Sequence, residues 1–133
     1  MKLKIGFIGL FPRDIRTMAR FYEEVLGLEL KAGNAEGPYA EFENEGVRFA
    51  MFKRELLPGL IGQTPGFTEG LNGTFELAIP VGAKENVDAI YATLTAGGAT
   101  PVYAPRDEPW KMRSAMVADP EGNLIEIASD FWQ

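Results

Sequence analysis

Acidic side chains are the main chemical resource of this 133-residue chain, which holds 19 Asp and Glu but neither histidine nor cysteine. Without imidazole it lacks the usual neutral metal ligand and the usual base near neutral pH. Without a thiol it has no thiolate nucleophile, zinc thiolate or disulfide. Ser114 and Ser129 have no histidine to activate them, which rules out a serine-hydrolase triad. Two glutamates stand out by position, because Glu76 and Glu126 alternate with large apolar residues in 74–81 and 124–128. A carboxylate in a partly apolar setting attracts a cation, or shares a hard ion such as Mg²⁺ or Mn²⁺ with water. It also serves as a metal-free base when burial and a neighbouring like charge raise its pKa. The competing reading makes both glutamates the solvated side of half-buried strands.

The apolar fraction of 46% and charged fraction of 24% are those of an ordinary globular chain, and the length suits one compact domain. Net charge is −6 with acids and bases interspersed, so no basic footprint for nucleic acid exists and a cationic or neutral ligand fits better than an anionic one. No apolar run is long enough to cross a bilayer, and 2–11 lacks both the long apolar stretch and the cleavage site of a signal peptide. With no cysteine to indicate export, the expected compartment is the cytosol. Gly6-Phe7-Ile8-Gly9 lacks the third glycine before a helix that a dinucleotide site requires.

The elements that must position Glu76 and Glu126 follow from periodicity. Residues 2–11 read as a strand, and Asp14 caps a helix whose Ile15, Met18, Tyr22 and Val25 recur at helical spacing and whose end is marked by Gly27. Three strands follow at 28–31, 39–43 and 47–53. In 54–73 the composition shifts to Gly, Pro, Thr and Gln, which reads as a linker between a first module, 1–53, and a second, 74–133. The second module repeats the order: strand 74–81; a helix capped near Asn86 with Val87, Ile90, Tyr91 and Leu94 on one face and Gly97-Gly98 at its end; then strands 99–103, 113–118 and 124–128. Helix-stop glycines Gly27 and Gly98 lie 71 positions apart, and hairpin glycines Gly46 and Gly122 lie 76 apart, which suits two copies of one unit.

A βαβββ unit used twice, with Phe21-Tyr22-Glu23-Glu24-Val25-Leu26-Gly27-Leu28 closing the first helix and Asp119-Pro120-Glu121-Gly122-Asn123-Leu124-Ile125-Glu126-Ile127 near the end, resembles the vicinal oxygen chelate superfamily. That superfamily contains glyoxalase I, extradiol dioxygenases, and bleomycin- and fosfomycin-resistance proteins. The resemblance implies an α+β fold in which two βαβββ modules pair into an open, cup-shaped mixed sheet with the helices outside. Strand alternation is compatible with it: Ile125 and Ile127 turn to the helix side and Glu126 to the cup; Phe75, Leu77 and Ile79 do so against Glu76 and Ala78; and Phe49 and Met51 against Arg48, Ala50 and Phe52.

Metal-dependent relatives place four ligands in the cup, and aligning the two repeats puts Phe7, Ala50, Glu76 and Glu126 at those positions. Phe7 and Ala50 have no donor atom for a metal. The resemblance therefore implies a cup lined by Phe7, Ala50, Phe52, Glu76, Trp110 and Glu126 that captures a cationic or aromatic small molecule, as drug-sequestering relatives do. No cofactor is expected; the weak alternative is Mg²⁺ or Mn²⁺ on Glu76 and Glu126, serving a divalent-metal-dependent lyase, isomerase or transferase. A third reading is an interaction module whose cup is filled by its own side chains. The segment 105–113 reads either as a rim or lid carrying Trp110 or as a surface loop whose tryptophan packs on the core. Phe131-Trp132 is a modest apolar patch, and the family habit of pairing modules across subunits implies a homodimer.

Overall fold

The computed structural model describes residues 1–130; Phe131 and Trp132 lie outside the described residues. The chain is an α+β protein with two compact units, Met1–Phe67 and Thr68–Gln133, and each unit builds one open four-stranded mixed sheet.

In the first unit β1 (Phe7–Leu10) leads into α1 (Ile15–Arg20), which a π-helical turn, Phe21–Val25, prolongs. Asp14 caps α1 as its position predicts: its carboxylate accepts from the Thr17 N–H at 3.1 Å and the Thr17 hydroxyl at 2.8 Å. The wide turn closes with the Leu26 N–H on the Phe21 carbonyl at 3.2 Å, and Gly27 then adopts φ +79, the left-handed stop. Strands β2 (Leu30–Gly33), β3 (Tyr39–Phe42) and β4 (Arg48–Phe52) complete a sheet in the order β1-β4-β3-β2, with β1 parallel to β4. The first strand is shorter than 2–11, because β4 begins at Arg48 and offers Met1–Gly6 no partner beyond the Gly6 carbonyl.

Met18, Tyr22, Phe42, Phe49 and Met51 fill the space between α1 and this sheet. The rings of Tyr22 and Phe49 are 5.3 Å apart. The apolar periodicity of α1 thus faces the alternate residues of β3 and β4, and each such side chain contributes about 1.5–3 kcal/mol on burial.

The stretch read as a linker carries structure. A 3₁₀ turn, Arg54–Leu56, runs into α2 (Leu57–Ile61), which Gly62 ends at φ +76. The missing apolar periodicity has a physical reason: Leu56, Leu60 and Ile61 are all exposed, so the helix has no single buried stripe.

The second unit comprises β5 (Asn72–Pro80), α3 (Lys84–Ala96), β6 (Thr100–Asp107), β7 (Arg113–Ala118) and β8 (Asn123–Ala128), in the order β5-β8-β7-β6 with β5 parallel to β8. The helix starts earlier than a cap near Asn86 implies. Ala83 is its N-cap, and the Asn86 amide donates to the Val81 carbonyl at 2.8 Å. Val87 and Leu94 of α3 lie buried with Ala115, Val117, Ile125 and Ile127 of the sheet. Among the described residues no helix is long and apolar enough to cross a membrane.

Candidate functional site

Each sheet has a face turned away from its helix, and that face carries the candidate site residues. In the second unit Leu77 pairs with Ile125 and Ile79 with Ile127 on the helix side, so Glu76, Ala78 and Glu126 fall on the opposite face. Phe75 departs from the expected alternation. It sits at a register irregularity between Asn72 and Glu76 and is 36% exposed, so it is not part of the helix-side core.

Glu126 stands in a row across this face, with Ala78 on one side, Met116 on the other, and Tyr103 beyond Met116. Glu76 is its diagonal neighbour, since Glu76 pairs with Leu124 two positions away on the same strand. Burial raises the carboxyl pKa of Glu126, and the charges of Glu76 and Glu108 and a hydrogen bond with Glu76 raise it further.

A polar chain runs beside that row. The Arg106 Nε donates to Glu108 Oε1 at 2.7 Å, and the buried Ser114 hydroxyl donates to the same oxygen at 3.0 Å. Tyr103 Oη lies 3.0 Å from Ser114 Oγ. Because Ser114 uses its proton toward Glu108, Tyr103 is the donor in that pair. The Arg106 guanidinium also stacks 3.8 Å from the centre of the Tyr103 ring. Arg106 holds the Glu108 carboxyl below its usual pKa, whereas burial pushes the Tyr103 phenol up.

The segment read as a rim is partly strand: β6 runs to Asp107, which pairs with Arg113, leaving a turn at 108–112. In that turn the Glu108 N–H reaches the Met112 carbonyl at 2.7 Å and Lys111 takes φ +65. Trp110 projects from it with 60% exposure, so of the two readings of this residue packing on the core is the one the structure removes.

In the first unit the face opposite α1 carries Phe7, Ala50 and Phe52. Phe52 is the hub, with ring centres 4.7 Å from Tyr39, 5.8 Å from Phe11 and 6.5 Å from Phe7. Ala50 is fully buried and pairs with Glu41. Sequence reasoning passed over Glu41, which is only 3% exposed. It receives the Tyr39 hydroxyl at 2.6 Å and two bonds from Arg48, Nε at 2.9 Å and Nη2 at 2.8 Å. The available signal was its placement at i+2 from Tyr39 on one strand and opposite the arginine-bearing neighbour strand.

The Arg48 and Tyr39 hydrogen bonds lower the Glu41 pKa from 4.5 to about 2. A depressed carboxyl stabilises the fold fully above the unfolded value of 4.5, and that contribution disappears as pH falls through about 2. Urea denaturation across this acid range is therefore expected to show wild-type stability falling between those two values, and Glu41→Gln is expected to flatten the dependence. Glu126 has the opposite sign: its raised pKa favours the protonated form in the fold, so stability is lost as pH rises through it.

The registers make the two faces equivalent position by position. Phe7 pairs with Arg48 as Glu76 pairs with Leu124, and Gly9 pairs with Ala50 as Ala78 pairs with Glu126. Phe7 thus occupies the place of Glu76, and Ala50 that of Glu126.

This repeated architecture has a counterpart in sequence. The family model described as Glyoxalase/Bleomycin resistance protein/Dioxygenase superfamily matches residues 4–127. The chain belongs to this superfamily. It is 32% identical over 127 residues to the uncharacterized protein YraH of Bacillus subtilis (strain 168), covering 94% of this chain and 97% of YraH. Among solved structures, a glyoxalase-related enzyme from Fulvimarina pelagi superposes with TM-score 0.82 at 27% identity, covering 96% of this chain and 88% of that one. A lactoylglutathione lyase from Agrobacterium tumefaciens shares the fold, with TM-score 0.74 at 21% identity over 97% of this chain and 96% of that one.

The metal that the resemblance implies for metal-dependent members of the superfamily does not fit the residues present. Phe7 and Ala50 bring no oxygen, nitrogen or sulfur side-chain donor to the positions equivalent to Glu76 and Glu126. Among the described residues no group of three or more Asp and Glu comes together in a way that would hold an ion.

Proposed function

We propose that this superfamily member binds a small molecule without a metal and that Glu126 is the centre of recognition. The observation that carries the reading is the donor set: two of the four positions that would bear ligands hold Phe7 and Ala50. What supports a cationic, planar ligand is the face around Glu126. Its carboxylate is half-buried beside Glu76, next to Met116, with the Tyr103 ring in the same row. Carboxylates so placed attract a cation, and the flanking apolar atoms favour a flat apolar body over a hydrated ion. Trp110, exposed on the 108–112 turn of the same unit, is the further aromatic residue proposed to contact such ligands. Capture without turnover is the mode by which a resistance protein sequesters a drug. We further propose that the chain works in the cytosol as a homodimer; the exposed Leu3 and Ile5 ahead of β1 and the exposed Phe75 on the edge strand β5 support a self-contact.

The experiment is a thermal-shift screen against proflavine, ethidium and berberine in EDTA, with Mn²⁺ and Mg²⁺ arms. At a ligand concentration about a hundredfold above Kd, stabilisation of about 2.7 kcal/mol is expected, unchanged by the metals and cut by about half or more in Glu126→Gln. Stabilisation by none of the three would refute the reading. A response that needs Mn²⁺ or Mg²⁺ would replace it with the metal-dependent lyase, isomerase or transferase.

A further inference from the structure

The first unit carries a second recognition element that is independent of Glu126 and of opposite charge preference. Its core is the guanidinium of Arg48. A guanidinium has five N–H donors and two edges able to grip a carboxylate in fork geometry. Glu41 takes the edge formed by Nε and Nη2, at 2.9 and 2.8 Å. The end-on edge formed by Nη1 and Nη2 is therefore directed away from Glu41, and the side chain retains 59% of its exposure.

Three features prepare that edge for a ligand. Glu41 is buried, and Tyr39 donates to its Oε1, the oxygen that also takes Arg48 Nη2, so the carboxylate is fixed, the guanidinium is anchored and little rotamer freedom remains to be lost on binding. The Lys31 ammonium lies 4.0 Å from the same carboxylate, so two cations face one acid and the cluster carries net positive charge within a chain of net charge −6. The Arg48 guanidinium is 5.3 Å from the centre of the Phe7 ring, which is 38% exposed. An apolar stacking surface thus adjoins the donors.

We propose that Arg48 and Phe7 form a seat for a small aryl carboxylate, the ring of the ligand lying on Phe7 and its carboxylate taking the end-on edge of Arg48. Glu41, Tyr39 and Lys31 act as positioning residues. Glu41 and Tyr39 hold the guanidinium plane, and Lys31 supplies the excess positive charge. Charge-assisted, two-point bonding makes the anion bind more tightly than a neutral isostere of the same shape.

The test compares 2-naphthoate with 2-naphthamide by isothermal titration calorimetry on the full chain. Naphthoate is expected to bind at least about tenfold more tightly, as one charge-assisted interaction allows. The same titration in Arg48→Gln should remove the preference. Since that change leaves Glu41 without its guanidinium, the double variant Glu41→Gln/Arg48→Gln, which replaces the ion pair with a neutral amide pair, provides a second reading with the same expected loss. On the unaltered protein, naphthoate should shift the Arg48 side-chain N–H resonance. Glu126→Gln should keep the preference, which separates this seat from the function proposed above. Equal affinity for acid and amide, absence of naphthoate binding, a preference that survives both Arg48 variants, or one lost only in Glu126→Gln would each overturn the proposal.

Discussion

Tyr22→Ala is expected to destabilise the protein by about 3–5 kcal/mol, the cost of removing a large buried ring and leaving a cavity. Tyr22 is 1% exposed, and its ring meets Phe49 at 5.3 Å, Phe21 at 5.4 Å and Phe42 at 6.5 Å. These neighbours are themselves aromatic and flanked by β-sheet, so they have little freedom to collapse into the space. The consequence reaches the opposite face, because Phe42 and Phe49 belong to the strands that display Glu41 and Arg48. Urea denaturation measures the loss. Tyr22→Phe, which retains the ring and gives up only the hydroxyl, should lose clearly less, about 1–3 kcal/mol at most; a loss in Tyr22→Ala no greater than that in Tyr22→Phe would mean the ring is not a main contact between α1 and its sheet.

Asp119→Ala should rank next, at about 2–4 kcal/mol, because it strands three half-buried donors, and an unmet donor costs about 1–3 kcal/mol when fully buried. The Asp119 side chain is 1% exposed and gathers three N–H groups: Glu121 N at 2.9 Å and Asn123 N at 3.0 Å on Oδ1, and the Asn123 amide at 2.9 Å on Oδ2. These bonds shape the turn that launches β8. Gly122 in that turn has φ +89, and a Cβ there would fall 1.9 Å from the Gly70 carbonyl oxygen, so the turn has no slack to re-form around the missing carboxylate. Glu126 lies three residues beyond Asn123. Amide hydrogen exchange along β8 should therefore accelerate in Asp119→Ala, and stabilisation by proflavine should weaken with it. Unchanged exchange would show that the turn does not set the strand.

The repeat, the two helices and most strands were legible because they rest on local rules. Asp14 and Gly27 bracket the first helix through capping and left-handed geometry, and Ile125 and Ile127 place Glu126 on the other face by alternation alone. Boundaries were less legible where pairing decides them. β1 is cut to Phe7–Leu10 by the start of β4, and β6 is lengthened to Asp107 by Arg113 across the hairpin. The short helix α2 escaped notice because its apolar residues face outward and leave no periodic signature. Glu41 and Ser114 were invisible as site residues for a different reason. Each is defined by cross-strand partners, Arg48 for one and Tyr103 with Glu108 for the other, and strand register is a tertiary property that no single segment encodes.

Metal-free capture at Glu126 is tested most directly by calorimetric titration of proflavine into protein dialysed against EDTA and into the same protein supplied with Mn²⁺. Kd should agree within about twofold between the two, and Glu126→Gln should weaken binding by about tenfold or more, as expected for the loss of one buried charge-assisted contact. Binding that appears only with Mn²⁺, or that is the same in Glu126→Gln as in wild type, would contradict the account.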